Sequence, residues 1–554
     1  MSTPSIRSGS AKPIEVGPGD ARYEALRRGF NQRWIARPDH VVVATGTDDV
    51  VAAVDAWLAR HPGGGTPPRR ITVRSGGHCY EDFVCGDDVS VIIDISAMDR
   101  VSYDSAMDAF CVEAGASNWH VATQLYRRHG RAVPGGSCYS VGAGGHVTAG
   151  GFGLLSRLHG LTVDHLYAVE VVTVRDGTHA AVTVARRDSD DPVLRDLWWA
   201  HTGGGGGNFG IVTRFWFRDL PEPPAQVLLR TVAWDWSLFD DEPERFYVLV
   251  RRYGRFFEGE QSGARGDFPY PYDYWDMFTL LKLNHRKAGK IGLIVQLDGD
   301  RADSPERLRR FLEHIAPEAD YPQSPLDVRM GEHPPLEDLY IPTRLPWLTA
   351  TQNLNESGPS RCGKYKSAYH TAGFTDAQLL AVYDHLTDAR YENDQALLQV
   401  DSYGGRINDV PPDATAVPQR SSVLKLQFQT YWTWNKDANH DGVYDYEDAR
   451  ADPSIAAPHL DWIRRFYGAV YADTGGVPAV PDDVPEPEHN TDGCYIGYCD
   501  TDLNDPAYND PKNGQPWYHL YYQGNYARLQ RTKAYWDPRD VFRHRQSVRL
   551  PDRP

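Results

Sequence analysis

The sequence predicts an α+β protein built from two large parts, and three observations support this prediction. Over residues 41–174, short apolar segments alternate with helical patterns, which is typical of a mixed layer of strands and helices. After the prolines at 221–224 the pattern changes to long polar–apolar alternation, as in residues 291–297 and 397–400. That alternation indicates an antiparallel sheet with helices on one face. The length of 554 residues is sufficient for two or three domains with large cores.

The elements of the first part can be assigned in chain order. Thr47–Arg60 combines an N-cap threonine, acidic residues in the first turn and apolar residues at helical spacing, so we predict a helix there. A Pro/Gly-rich loop at 61–68 ends it, and residues 1–20, which lack an apolar segment, are expected to form a disordered tail. The other predicted elements are a short helix over 23–30, strands at 41–44, 71–74 and 91–95, β segments near 110–114 and 169–174, and a helix over 119–130.

Composition excludes several classes of partner. The chain has 58 basic and 75 acidic residues, which gives a net charge of −17 and disfavours nucleic acid and anionic membranes. No apolar run of about 18 residues predicts a membrane span, and the N-terminus has no apolar core of a signal peptide. We therefore expect a cytoplasmic protein, as a monomer or homodimer, whose substrate is a small molecule.

The seven cysteines are scattered and do not have the spacing of metal ligands. No metal site is therefore predicted from them. Cys79 with Cys85, and Cys494 with Cys499, are close enough in sequence to be disulfide candidates. A cytoplasmic location favours free thiols instead.

Two glycine-rich turns carry most of the functional information. The first is Arg74-Ser75-Gly76-Gly77-His78, which follows the predicted strand at 71–74; the second is Pro134-Gly135-Gly136-Ser137-Cys138, which continues into residues 141–146. Paired glycines allow backbone N–H groups to converge on an anion such as a pyrophosphate. Either turn alone is commonly just a turn, but the two occur in a characteristic order and spacing.

Together the two turns resemble the flavin-attachment signature of the berberine-bridge-enzyme-like oxidases, which belong to the vanillyl-alcohol-oxidase superfamily with its PCMH-type FAD domain. The resemblance extends over residues 37–548. It implies FAD bound through two covalent bonds, from His78 to the flavin 8α-methyl and from Cys138 to ring carbon 6. It also implies a tail with a short helix at 1–36, an FAD-binding domain at 37–220, a substrate-binding domain at 221–504 and a return to the FAD domain at 505–554.

The resemblance also implies further cofactor contacts. Residues 145–153 could be mistaken for a dinucleotide fingerprint, but these glycines come too late in the chain and lack the βαβ frame. The five glycines at 203–207 would suit a flexible linker, yet the family has this motif where its FAD domain ends. Residues 522–529 match the closing motif of the family, whose asparagine reaches the flavin. The implied cofactor-binding residues besides His78 and Cys138 are Arg74, Ser75, Gly76, Gly77, Val141, Gly142, Gly145, His146, Gly150, Gly151, Ile211, Val212, Tyr522 and Asn525.

The candidate catalytic residues are Tyr498, Tyr403 and Asp401. Residues 495–503 resemble the family motif Y-x-N-Y-x-D-x-D-L, and Tyr498 has the position of its catalytic tyrosine, although Gly497 replaces the usual asparagine. Asp401 and Tyr403 alternate on a predicted strand and should share a face. A phenol has a pKa near 10 and needs help to ionise, and with 31 tyrosines any one of them could simply be core.

The implied activity is oxidation of an alcohol or hemiacetal carbon. Tyr498, aided by Tyr403 or Asp401, would take the hydroxyl proton while hydride leaves to flavin N5, and O₂ would then be reduced to hydrogen peroxide. Valine at position 141, three residues after Cys138, is typical of members that react with O₂. The pattern at 28–31 and 198–207 is similar to that of actinomycete enzymes that tailor natural products, so a sugar or a glycosylated natural product is the expected substrate.

Three alternatives remain open at this point. An oxidative cyclase or an oligosaccharide oxidase could have the same fold. A flavin-loaded binding protein with little turnover belongs to a different class, and the presence of both Tyr498 and Tyr403 argues against it. Residues 437–448 follow the D-x-N-x-D-G calcium-loop pattern, but the last position is aspartate and no helical pattern precedes it, so we favour a solvated acidic loop.

Overall fold

The structure is a computed structural model of the chain. It describes residues 13–62, 69–262, 274–433, 453–480, 489–510 and 512–552. Residues 437–448, which follow the calcium-loop pattern and are expected to form a solvated acidic loop, lie outside the described residues.

Sixteen strands are present in the described part of the chain. In order they are β1 (Ile14–Val16), β2 (His40–Val43), β3 (Arg70–Arg74), β4 (Val89–Asp94), β5 (Val101–Asp104), β6 (Ala109–Glu113), β7 (Leu166–Thr173), β8 (Ala181–Arg186), β9 (Ile211–Phe217), β10 (Gln226–Asp235), β11 (Phe278–Asn284), β12 (Lys290–Asp298), β13 (Thr343–Pro346), β14 (Cys362–His370), β15 (Ala396–Ser402) and β16 (Leu424–Trp432).

Fourteen α-helices accompany these strands in the same described residues. They are α1 (Tyr23–Leu26), α2 (Thr47–Arg60), α3 (Asn118–His129), α4 (Ala143–Thr148), α5 (Ser156–His159), α6 (Pro192–Ala200), α7 (Ser237–Asp240), α8 (Pro243–Ser262), α9 (Ser304–Ile315), α10 (Trp347–Asn353), α11 (Asp376–Leu386), α12 (Ala457–Val470), α13 (Trp517–Tyr522) and α14 (Tyr526–Trp536).

Two small sheets form the first part of the molecule. One has the order β1-β2-β4-β3, in which β2, β4 and β3 are parallel. Its central strand β4 is buried along its whole length, as expected of a parallel strand covered on both faces. The other sheet is antiparallel, in the order β5-β6-β9-β7-β8. The turn with His78 follows β3, and β9 begins at Ile211, so both sheets deliver residues to one region.

A seven-stranded antiparallel sheet forms the second part, which confirms the sheet predicted from the alternation. Its order is β13-β10-β12-β11-β15-β16-β14. Helices pack on one face: Tyr253 of α8 donates a hydrogen bond to the Val400 carbonyl of β15 at 3.0 Å. On the same side, the rings of Phe428 (β16) and Phe466 (α12) are 4.9 Å apart. The other face of the sheet is left for the cavity described below.

The predicted strands and long helices of the first part are confirmed with shifts of a few residues, but three details were wrong. Residues 14–16, assigned to a disordered tail, form a strand that pairs with β2. The helix expected over 23–30 already ends at Leu26. Thr47 is the first helical residue of α2, because the extended Gly46 occupies the N-cap position and no side chain caps the helix.

All seven cysteines have free thiols in the structure, so neither candidate disulfide forms. Cys79 instead lies within hydrogen-bonding reach of Cys499. None of the helices that the structure describes is long and apolar enough to cross a bilayer.

Candidate active site

A cavity of about 310 Å³ lies where the glycine-rich turns of the first part face the seven-stranded sheet. Its size is at the lower end of the range usual for ligand pockets, about 300–1,000 Å³. Most of the predicted cofactor residues line it: Arg74, Ser75, Gly76, Gly77, His78, Cys138, Val141, Gly142, Gly145, His146, Ile211 and Val212.

The wall on the first side is made largely of backbone. A Cβ atom at Gly76 would lie 2.3 Å from the backbone nitrogen of Gly142, and one at Gly142 would lie 2.2 Å from the nitrogen of Gly76. Gly77 has φ of +74°, a conformation that side chains disfavour. The two turns therefore touch through their main chains, and glycine is required at the point of contact.

His78 is held in place and uncharged. Its Nε2 lies 2.8 Å from the Ser140 hydroxyl, and its ring stacks on Phe30 with centroids 4.5 Å apart. Burial lowers the pKa of His78 to about 4. The imidazole is therefore neutral near pH 7 and keeps a nucleophilic lone pair.

Cys138 faces the same cavity as a thiol. Its Sγ lies 3.8 Å from Glu356 Oε2. Burial, together with the negative charge of Glu356, raises the pKa of Cys138 well above its usual value. The turn is supported from below by His146, whose Nε2 accepts a hydrogen bond from the Gly136 N–H at 3.0 Å. Burial lowers the pKa of His146 to about 4, so its ring can act as that acceptor.

Four predicted cofactor residues are not among those that line the cavity. Gly150 and Gly151, with φ of +113° and +70°, pack against other side chains. The Tyr522 hydroxyl donates to the Gly204 carbonyl at 3.0 Å. The Asn525 amide donates to the Pro412 carbonyl at 2.9 Å. In this structure these residues stabilise loops around the cavity.

The opposite wall is a floor of polar side chains on the sheet. Strand register places Lys282 opposite Gln399 and Gln399 opposite Gln427. In the next row Asp401 is opposite Lys425. Gln399 donates to Asp401 at 2.8 Å, and among the described residues its own Oε1 has no hydrogen-bond partner. The cavity therefore has side-chain amides and a free acceptor on this side.

Tyr498 lies above this floor. The Lys425 ammonium is 4.0 Å from the centroid of the Tyr498 ring, and Lys425 pairs with Asp401 at 3.2 Å. Burial, and then the charges of Asp401 and Glu356, raise the pKa of Tyr498 well above its usual value. The Lys425 ammonium places a positive charge against the same ring.

A buried ion network holds the Tyr498 turn next to the His78 turn. Lys364 pairs with Glu81 at 2.5 Å and with Asp500 at 2.6 Å. Lys366 pairs with Asp500 at 2.7 Å. Because Glu81 follows the His78 turn and Asp500 follows Tyr498, this network fixes the two turns relative to each other.

Tyr403, a predicted catalytic residue, is not brought to the cavity. It follows the last residue of β15, so the strand alternation that would align it with Asp401 no longer applies. Its side chain is fully buried, and its hydroxyl donates to the Gln419 carbonyl at 3.1 Å. Asp401 and Tyr498 do line the cavity.

Sequence reasoning missed several residues of the cavity. The missed lining residues with polar side chains include Tyr80, Glu332, Glu356, Gln399, Gln427, Gln429 and Tyr495. The alternation of glutamines with apolar residues in β15 and β16 was a signal that could have found the floor. Glu332 and Glu356 lie in irregular segments, and nothing in their sequence context marks them.

Comparison with known proteins agrees with this arrangement. A family model described as an FAD binding domain matches residues 38–183, and one described as berberine and berberine like matches residues 494–549. These two segments contain His78, Cys138 and Tyr498.

Relatives match over nearly the full length. The chain is 41% identical over 552 residues to aclacinomycin-N/aclacinomycin-A oxidase from Streptomyces galilaeus, covering 97% of this chain and 90% of that one. It is 35% identical over 567 residues to hexose oxidase from Chondrus crispus, covering 97% and 95%. A glycopeptide hexose oxidase solved in complex with teicoplanin superposes with a TM-score of 0.82 at 37% identity, covering 97% of this chain and 99% of that one.

The fold and the site define an FAD-dependent oxidoreductase. A neutral imidazole, a thiol and two backbone-lined turns at one cavity are a donor set that suits a flavin and its diphosphate. The chain belongs to the berberine-bridge-enzyme-like family of FAD-linked oxidases, with the α+β architecture of a PCMH-type flavoprotein.

Proposed function

We propose that this protein is an oxidase that converts an alcohol or hemiacetal carbon of a sugar, or of a glycosylated natural product, to a carbonyl and passes the electrons to O₂. The observation that carries this proposal is that His78, Cys138 and Tyr498 line one cavity above a polar sheet floor. Full-length relatives include a hexose oxidase and an aclacinomycin oxidase.

His78 and Cys138 are the residues that would bind FAD covalently, at the 8α-methyl group and at ring carbon 6. The neutral His78 has the lone pair that the first bond needs. Ser140 holds the ring in position. When bound, FAD supplies a two-electron acceptor for the substrate and a reductant of O₂, with release of hydrogen peroxide.

Tyr498 is the base that takes the hydroxyl proton of the substrate. A buried phenol resists ionisation because its charge is desolvated. The Lys425 ammonium, 4.0 Å from the ring centroid, stabilises the phenolate once the proton has left. Asp401 pairs with Lys425 and accepts a hydrogen bond from Gln399. We assign Tyr403 no catalytic part, since its hydroxyl is occupied by a backbone carbonyl.

The floor suits a polyhydroxylated substrate. Its buried amides, Gln399, Gln427 and Gln429, each offer donors and acceptors within a small area. Tyr80 adds an aromatic face beside Tyr498, with ring centroids 5.6 Å apart. Sugars combine hydroxyl groups with apolar C–H faces, so they match both features.

The activity can be tested with a substrate panel under anaerobic conditions. Free hexoses, oligosaccharides and aromatic glycosides are mixed with the holoenzyme, and bleaching of the flavin absorbance is followed. We expect bleaching with at least one member, and equimolar hydrogen peroxide when air is admitted. A flavin that no member reduces would contradict the sugar assignment, and reduction without peroxide would contradict the oxidase assignment.

The attachment can be tested by acid precipitation. Wild-type protein should give a yellow pellet, and each single variant, His78→Ala or Cys138→Ala, should keep one bond and a coloured pellet. The double variant should release free FAD to the supernatant. A colourless wild-type pellet would contradict covalent attachment and leave the choice of substrate unaffected.

A further inference from the structure

Three consecutive residues of the loop between α10 and β14 contact three consecutive residues of the Cys138 turn. The contacts join segments 355–357 and 138–140, which are more than two hundred residues apart. The Cys138 thiol donates to Glu356 Oε2 at 3.8 Å, the Tyr139 N–H donates to Asn355 Oδ1 at 3.0 Å, and the Ser140 N–H donates to Ser357 Oγ at 3.0 Å.

The same loop reaches His78 indirectly. Ser357 Oγ also accepts a hydrogen bond from the Ser140 hydroxyl at 3.0 Å, and that hydroxyl contacts His78 Nε2 at 2.8 Å. Segment 355–357 therefore positions the turn that carries Cys138 and lies one hydrogen bond from the residue that supports His78.

The carboxyl group of Glu356 is held in its ionised form, which can accept a hydrogen bond. Its Oε1 pairs with the Lys282 ammonium at 2.9 Å and lies 3.0 Å from His333 Nδ1. Burial by itself would raise the pKa of Glu356, but Lys282 and His333 outweigh burial and hold the pKa well below its usual range. Oε2 is left to face Cys138, so an ionised carboxylate oxygen contacts the thiol.

Cys138 requires such a group. Since burial and the adjacent carboxylate keep it protonated, its sulfur becomes nucleophilic only if the proton moves to a partner in contact. Transfer of the thiol proton to Glu356 is unfavourable in free energy in the resting protein. It becomes easier as the sulfur donates its electron pair to the new bond. A slow transfer is sufficient, because attachment happens once in the life of each molecule.

We propose that Glu356 is the proton acceptor for covalent attachment of Cys138 to FAD. The inference rests on the attachment proposed above. The S–H bond breaks, with its proton going to Glu356, and the sulfur bonds to ring carbon 6, which loses its hydrogen as a proton. The electron pair reduces the flavin, and O₂ accepts those two electrons to give hydrogen peroxide and restore oxidised flavin.

The test is Glu356→Gln, which keeps the size and an acceptor oxygen but removes the carboxylate. Purified protein is denatured, treated with iodoacetamide and digested, and the fraction of Cys138 in the flavin thioether is measured by mass spectrometry. We expect the flavin to stay attached through His78 while the thioether fraction falls at least about tenfold, since general acid–base catalysis typically contributes about 10²–10⁴-fold to a rate. Cys138 is then recovered alkylated.

Glu332→Gln is the matched control. Glu332 is a second carboxyl group that lines the cavity, but it accepts from Tyr431 at 3.0 Å and has no hydrogen bond with Cys138 among those of the described residues. Its thioether fraction should not fall below that of the wild type, because loss of the Glu332 charge would only lower the Cys138 pKa. A parallel loss in Glu332→Gln would overturn the specific role of Glu356.

The outcomes separate this inference from the attachment proposal. Wild-type protein without a thioether contradicts attachment itself. A thioether in both wild type and Glu356→Gln contradicts only the role of Glu356. Should Glu356→Gln fail to hold FAD, Glu356→Asp decides: slower thioether formation in flavin-loaded protein supports the role, and formation at the wild-type rate overturns it.

Discussion

The two walls of the cavity recognise their ligands by different means. The wall made by the turns at 74–78 and 134–142 presents main chain, and a Cβ added at Gly76 or Gly142 would lie 2.3 Å or less from the opposite turn. The floor made by β11, β15 and β16 presents side chains. The three strands would keep their pairing if these side chains were replaced by others. We infer that the first wall decides whether the cofactor is held, and the floor decides which substrate is oxidised and how its proton is removed.

The largest effect is expected at the backbone wall. Gly76→Ala places a methyl group 2.3 Å from the Gly142 nitrogen. The turns must separate, at a cost of about 3 kcal/mol or more. We expect purified Gly76→Ala to contain little flavin, measured as the ratio of flavin to protein absorbance.

Gly46→Ala is the control for this change. Gly46 lies in the same part of the molecule but outside the cavity, and its added Cβ would have no heavy atom within 4 Å. Flavin content should equal that of the wild type. Equal flavin in Gly76→Ala would show that the backbone contact is not required and would remove the contrast between the two walls.

Tyr498→Phe should give the next largest effect. The ring stays and the proton acceptor is lost, so flavin reduction by substrate should slow by about 10²-fold or more. Substrate affinity and flavin content should change little. Stopped-flow reduction measures the rate, and Tyr403→Phe, whose hydroxyl donates to the Gln419 carbonyl outside the cavity, should remain close to wild type. Slow flavin reduction in Tyr403→Phe together with a wild-type rate in Tyr498→Phe would instead identify Tyr403 as the base.

Val141→Ile tests the approach of O₂ on the cofactor side. Val141 lines the cavity. Overpacking a closely packed site by one methylene raises the free energy of the folded protein by about 1–3 kcal/mol. If O₂ passes there, reoxidation of the reduced enzyme should slow by about tenfold, whereas reduction by substrate should not. Mixing reduced enzyme with aerated buffer measures this rate, and equal rates would remove Val141 from the oxygen path.

The smallest effect is expected from Lys425→Met. If Tyr498 is the base, as proposed, the rate of flavin reduction rises with pH as its phenol ionises. Loss of the ammonium raises the Tyr498 pKa, because the phenolate loses its nearby cation while Asp401 continues to raise the pKa. The rising limb should therefore move to higher pH by about one unit, which lowers the rate of flavin reduction by about tenfold at any pH below that limb.

Lys282→Met provides the comparison for Lys425. Lys282 is a buried lysine of the same floor, but it pairs with Glu356 instead of lying over the ring. Its pH profile should move much less. A shift to lower pH in Lys425→Met would mean that the lysine does not stabilise the phenolate.

Much of the first wall could be predicted from the sequence. A glycine that must touch backbone leaves a short pattern at constant spacing, as in the turns that carry His78 and Cys138. Tyr522 and Asn525 lie in an equally clear pattern, yet in this structure they contact backbone carbonyls outside the cavity. A motif specifies a local conformation more reliably than it specifies the partner of each side chain.

The sequence by itself predicted the fold class, the two glycine-rich turns and the motif that brings Tyr498 to the cavity, because each depends on residues close together in the chain. Only the tertiary structure decided that Lys425 lies over Tyr498, that Glu356 contacts Cys138 and that Tyr403 is turned away. Those contacts depend on strand register and loop packing across long separations, as when Asp401 meets Lys425 through the pairing of β15 with β16. A one-residue change of register would turn these side chains to the opposite face of the sheet.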